Sequence, residues 1–92
     1  MSTRAQTASV LIPSLSPAFI SADDAAVYAH ELIAAIKNGI VYGGFILARQ
    51  NRYYATLPHA GSSTSFDPAD VLSLSDEGLF LPIQGYTIEG MY

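Results

Sequence analysis

The stretch Ile40 to Leu57, IVYGGFILARQNRYYATL, constrains the fold more than any other part of the chain. Apolar residues run from Ile40 to Ala48, polar Gln50-Asn51 interrupts them, and aromatic residues resume at Tyr53. Asn tolerates the left-handed backbone region that a tight turn needs. Tyr53, Tyr54 and Thr56 suit a pleated surface. The pattern predicts a β-hairpin, with one strand over residues 40–48, a turn at Gln50-Asn51 and a second strand over residues 52–57, stopped by Pro58. Gly43 and Gly44 fall inside the first strand. A glycine pair there marks a bulge or a close approach by another backbone.

An isolated hairpin is barely stable in water and needs a cover. The preceding residues provide one. Ser21 is placed to cap a helix on the amide of Asp24, and Asp23 and Asp24 sit at the positive end of its dipole. Ala26, Ala29, Leu32, Ile33 and Ile36 recur at helical spacing, with Asp23, His30, Glu31 and Lys37 largely elsewhere. Asn38-Gly39 ends the helix at a residue free to take positive φ. The small alanines predict close packing on a sheet. Residues 1–20, rich in Ser, Thr, Ala and Pro, read as an extended arm whose second half Leu11, Ile12, Phe19 and Ile20 can pin to the body.

After the hairpin come a polar loop from His59 to Phe66, an Asp67-Pro68 cap that starts one helical turn through Leu72, and an irregular run anchored at Leu79-Phe80-Leu81. Tyr86 to Tyr92 alternates and reads as a closing strand. That strand reaches the last residue. It reads as a cut chain, a split gene or a strand completed by a partner, against a short domain whose last strand simply ends. The fold class is α+β, with one N-terminal helix on a small, mainly antiparallel sheet, in a single domain over residues 21–92.

The 92 residues hold half hydrophobic and only 13% charged residues, which leaves apolar surface for a partner. The net charge is -4, and the four basic residues, Arg4, Lys37, Arg49 and Arg52, form no run. Nucleic acid is therefore not an expected partner. The absence of cysteine excludes disulfides and thiolate metal sites. The patch Val10-Leu11-Ile12 is broken by Pro13 and is too short for a secretory signal or a membrane span. The expected location is the cytoplasm, with specialised export left open.

No spacing amounts to a strong catalytic signal. His59, Ser62, Ser63, Ser65 and Asp67 crowd together, but triads are assembled from distant segments, and no Gly-x-Ser-x-Gly elbow is present. Loop hydroxyls capping backbone amides are the plainer account. His30 and His59 are too few for zinc, which needs about three protein ligands in a catalytic site. Asp23, Asp24 and Asp67 are explained by capping, and Asp70, Asp76 and Glu77 by solvation. Glu89 lies inside the last strand and faces solvent or a partner. The tyrosines of the strands are ordinary cross-strand packing, with a tyrosine-lined pocket as the alternative. Tyr42, His59, Ser65, Asp67, Glu89 and Tyr92 are the candidates for a partner or pocket surface.

The order of these pieces resembles a known family. An Ala-rich helix is followed by Tyr42-Gly43-Gly44-Phe45-Ile46, a short turn and Tyr53-Tyr54-Ala55-Thr56. Then come Pro58, Gly61, Ser65-Phe66-Asp67-Pro68 and Gly85-Tyr86-Thr87-Ile88-Glu89-Gly90-Met91-Tyr92. Over residues 22–92 this resembles an uncharacterised bacterial domain found at the toxic C-terminal ends of repeat-containing polymorphic toxins, related to the JAB/MPN (JAMM) metallopeptidase fold. The resemblance implies a Gly-Tyr-x-x-x-Gly-x-Tyr strand leading straight into a His-x-His pair that holds zinc with a later Asp, and a Glu near the first core strand. Here the His-x-His would begin just after Tyr92, and Val41 stands where the acid is expected. The resemblance therefore implies the incomplete scaffold part of a JAMM-like hydrolase, inactive alone, with zinc expected only if a following His-x-His segment is supplied. The alternative is a non-enzymatic module that binds another protein chain, or a second copy of itself, through exposed strand edges.

Overall fold

The structure, a computed structural model, describes residues 11–92. The first ten residues of the expected arm, with Arg4 and Val10, lie outside the described residues. A helix, α1 (Ala22–Ile36), precedes five short strands: β1 (Tyr42–Gly43), β2 (Phe45–Arg49), β3 (Arg52–Ala55), β4 (His59–Ala60) and β5 (Thr87–Met91). One 3-10 turn, Pro68–Asp70, falls between β4 and β5. The larger sheet has the order β3-β2-β5, and β1 pairs with β4 in a second, two-stranded sheet. All pairings are antiparallel. The chain is α+β with its N-terminal helix on a sheet, as the sequence predicts. No helix among the described residues is long and apolar enough to cross a membrane.

The hairpin forms with its turn where the sequence places it, although its first strand begins at Tyr42 and not Ile40, and β3 ends at Ala55, short of the expected Leu57. Gln50 and Asn51 both take positive φ, 52° and 63°, and Ala48↔Tyr53 and Arg49↔Arg52 pair across the turn. Two left-handed residues in a row give a turn whose twist matches the strands. The single first strand of the expectation is in fact two. Gly44 separates β1 from β2, and Thr56 and Tyr92 occupy the space where a side chain would stand there: a Cβ would lie 2.5 Å from the Tyr92 hydroxyl. At Gly43 the crowding comes from the Phe66 ring, 2.7 Å from a would-be Cβ. The glycine pair thus marks close approach by side chains, and the close approach by another backbone that the sequence predicts is not what crowds it.

Ser21 caps α1 by accepting from the amide of Asp24 at 3.0 Å. The helix ends one step earlier than Asn38-Gly39 implied: Lys37 already takes the left-handed conformation, φ 51°. Asn38 instead uses its side chain, accepting from the amide of Ile40 at 3.0 Å and donating to the Tyr42 hydroxyl at 2.7 Å. The buried helix residues are Ala25 and Ala29, while Leu32 and Ile36 remain exposed. The apolar stripe runs past the sheet that covers only its first half.

Two cores result. On the helix side, Ala25, Ala29, Ile46 and Ala55 pack together with Tyr92 against them. On the other side, Phe45, Leu47, Val71 and Leu72 pack beneath Phe66, Phe80, Ile83 and Ile88. Of the expected anchor, Phe80 meets Phe45 at 5.0 Å between ring centres, whereas Leu79 is exposed.

The described half of the arm runs along the outer edge of β3. Leu15 bridges Thr56 and Phe19 bridges Tyr53. Ser16 exchanges bonds with Ala55: its amide donates to the Ala55 carbonyl at 2.8 Å, and its buried hydroxyl accepts from the Ala55 amide at 2.9 Å. Leu15, Ser16 and Phe19 make the attachment, while the side chains of Leu11, Ile12 and Ile20 stay exposed, in contrast to the pinning expected of them. β5 carries no strand on its outer edge among the described residues.

Candidate functional site

Tyr42, His59, Ser65 and Asp67 gather at the end of the molecule built by β1 and β4. Gly43 pairs with His59 and Tyr42 with Ala60, so the start of the presumed polar loop is a strand. Short polar segments give too little alternation for such a strand to be read from sequence. The His59 ring lies 6.3 Å from that of Phe66, which in turn lies on Gly43. Below them the loop is folded on itself. Ser62 Oγ accepts from the amides of Thr64 and Ser65, at 3.2 and 3.1 Å, and donates to the Ser65 carbonyl at 3.3 Å. Asp67 accepts from the amide of Ala69 at 3.0 Å. The hydroxyls and the carboxylate are thus engaged in local turns, as capping predicts.

A cavity of about 280 Å³ opens beside this end, lined by Leu11, Ile12, Pro13, Ser14, Leu57, His59, Asp70 and Val71. It falls just below the range of ligand pockets, ~300–1,000 Å³. The arm forms one wall, and Leu11 is tied across by its amide to Ser73 Oγ at 3.1 Å. His59 is the only one of the six sequence candidates that reaches it. Its other acidic or basic residue is Asp70, which the sequence reading treated as merely solvated. No pattern around Asp70 announces the cavity, because the wall opposite it comes from residues more than fifty positions away.

Tyr92 and Glu89 lie elsewhere. The Tyr92 hydroxyl donates to the Thr56 carbonyl, and its amide donates to the Gly44 carbonyl at 3.1 Å. Burial pushes the phenol up to about 12. The ring stands edge-on to that of His30 on α1, 5.8 Å between centres. Tyr92 is therefore a structural clamp between the helix and the sheet. Thr56, which the sequence marks only as a residue suited to a pleated surface, is its counterpart: it is fully buried, and its Oγ1 accepts from the Phe45 amide at 2.9 Å. Glu89 is exposed on β5 at the register shift opposite Ile46 and Leu47, with its carboxylate accepting from Thr87 at 3.3 Å.

No group of three His, Asp or Glu side chains able to hold a metal occurs among the described residues. The described residues therefore do not make up the zinc set that the family resemblance implies. No family model, curated protein or solved structure matches this chain.

Proposed function

We propose that the chain is the scaffold part of a JAMM-like hydrolase domain of a bacterial toxin-type protein, without catalysis of its own. The observation that supports this reading is the clamping of the strand that carries the resemblance. Residues 87–91 pair with β2, and Tyr92 is fastened both to Thr56 and to Gly44. On this reading a His-x-His pair would begin next to Tyr92, whose ring lies edge-on to that of His30 on α1. Within this reading the protein acts in the cytoplasm or after export by a specialised bacterial secretion system, and zinc enters only with the following segment. Two measurements test it. The codons that follow Tyr92 in the gene are expected to specify His-x-His. The purified 92-residue chain is expected to carry no stoichiometric zinc by elemental analysis. Stoichiometric zinc in the isolated chain overturns the reading.

A second reading, an interaction module that pairs through a strand edge, is favoured by the outer edge of β5, which pairs with no strand among the described residues. Its partner would be another protein chain or a second copy. The bulge and the charge at Glu89 work against self-pairing, since both are devices that blunt an edge. Sedimentation of the pure protein separates the two cases. A monomer at all concentrations removes the second copy as partner and leaves a different protein chain.

A further inference from the structure

The sheet face turned away from α1 carries a cluster that neither reading uses. Arg49 and Arg52 stand directly opposite one another across the hairpin. Residues so paired point to the same face, and like charges in that position destabilise a sheet. These are two of only four basic residues in a chain of net charge -4. Among the described residues, the contacts they make supply no negative charge. Arg49 lies over the Tyr86 ring, 5.4 Å from its centre, and Arg52 donates to the carbonyl of Asn51 at 3.1 Å. Tyr86 meets Tyr54 edge-on at 5.5 Å. The carboxylate on the sheet's open edge, Glu89, is bonded to Thr87. Thr87 pairs with Ala48 and therefore belongs to the opposite face.

Both arginines are exposed and both tyrosines are partly so. A two-residue turn sets the spacing of the arginines, and the Arg49 guanidinium lies within cation–π distance of the Tyr86 ring. A planar guanidinium presents a fork of donors that matches a carboxylate in a two-pronged contact. Tyrosine and arginine are also the residues that dominate binding energy at protein interfaces. We propose that the face bearing Arg49, Arg52, Tyr54 and Tyr86 docks an acidic segment of a partner protein, a carboxylate resting between the arginines and an apolar neighbour resting on the tyrosines. The occupant relieves the repulsion that the bare arginine pair leaves in place. This surface lies off the β5 edge and away from Tyr92, so its test is independent of both readings above.

The experiment is an amide NMR titration of the whole 92-residue chain with a synthetic heptapeptide of alternating Glu and Leu. Saturable shifts are expected over residues 49–54 and at Tyr86, weakening as salt is added. Arg49→Gln and Arg52→Gln should each weaken binding at least ~10-fold, the loss of about one good contact. Arg52→Glu should abolish binding and yet raise the thermal midpoint, because it turns a repulsive cross-strand pair into an attractive one. A lowered midpoint for Arg52→Glu would mean that the arginines serve the fold, and would overturn the proposal. Equal shifts from a Lys-Leu heptapeptide, from oligothymidine or from inorganic phosphate alone would also overturn it, assigning the face to unspecific contacts, to nucleic acid or to a small oxyanion respectively.

Discussion

On the helix side of the β3-β2-β5 sheet the buried residues are three alanines and one isoleucine: Ala25, Ala29, Ala55 and Ile46. On the far side they are Phe45, Leu47, Val71 and Leu72, reinforced by Phe66, Phe80 and Ile83. The first face is closed by bringing backbones together. A regular helix can approach a sheet closely where its side chains are small. The second face is closed by filling space, because the cover is an irregular chain, residues 66–83, that has no flat side to offer. One face thus depends on nothing larger fitting, the other on nothing smaller sufficing. Opposite substitutions should therefore injure them.

The sharpest contrast comes from truncation on the far side. Leu47 is fully buried in the middle of β2. Leu47→Ala should cost about 3 kcal/mol by urea unfolding, from lost transfer energy and the cavity left behind. If the irregular chain could collapse into the gap, the loss would fall well below the usual range, and the far side would be a loose cover after all. Enlargement should do the corresponding damage on the helix side. Ala29 is fully buried against the sheet, and Ala29→Leu should cost about 2 kcal/mol by overpacking, despite leucine's good helix propensity. The same change at exposed Ala34 or Ala35 should be close to neutral. A tolerated Ala29→Leu would show that helix and sheet can part freely, and the distinction between the faces would fail.

The contrast also explains which parts of the molecule the sequence discloses. The helix side rests on local signals: Ser21 ahead of Asp24, alanines at helical spacing, and Gln50-Asn51 between two apolar runs. Each is decided within a few residues, and each was legible. The far side rests on partners distant in sequence. Phe66 covers Gly43, Phe80 meets Phe45, and the polar pair His59-Ala60 becomes a strand only because Tyr42-Gly43 offers it an edge. Nothing near those residues encodes the meeting. The candidate sites divide in the same way. Asp67 as a cap was legible, whereas the cavity shared by His59 and Asp70 needs the arm as its wall. The Arg49↔Arg52 pair is an intermediate case. Once the turn is placed between them, their opposition follows from counting.

The arm tests whether the helix-side sheet ends at β3. Ser16 is buried at 6% exposure although it is polar, and its hydroxyl accepts the amide of Ala55. Ser16→Ala leaves that buried amide without a partner, at a cost of about 1.5 kcal/mol. Hydrogen exchange at Ala55 should quicken in the variant. Unchanged exchange would mean that the arm merely lies along β3 without sealing it.

Tyr92 is where the comparison is finest, since it joins the helix-side core while its hydroxyl reaches Thr56, which also holds Phe45 of the far core. Tyr92→Phe keeps the ring against the alanines and removes only the bond to the Thr56 carbonyl, so it should cost about 1 kcal/mol. Alkali should reveal the same group in the unsubstituted protein. Burial raises the phenol to about 12, against about 10 in an unfolded chain. The neutral form is the one the fold favours. Its contribution is complete below about pH 10 and fades as the pH climbs through 12. Unfolding free energy should therefore fall across that interval, and the fall should be smaller in Tyr92→Phe. Parallel alkaline curves for the two proteins would mean that the phenol is as solvated in the folded state as in the unfolded one. The two cores would then meet through Thr56 alone.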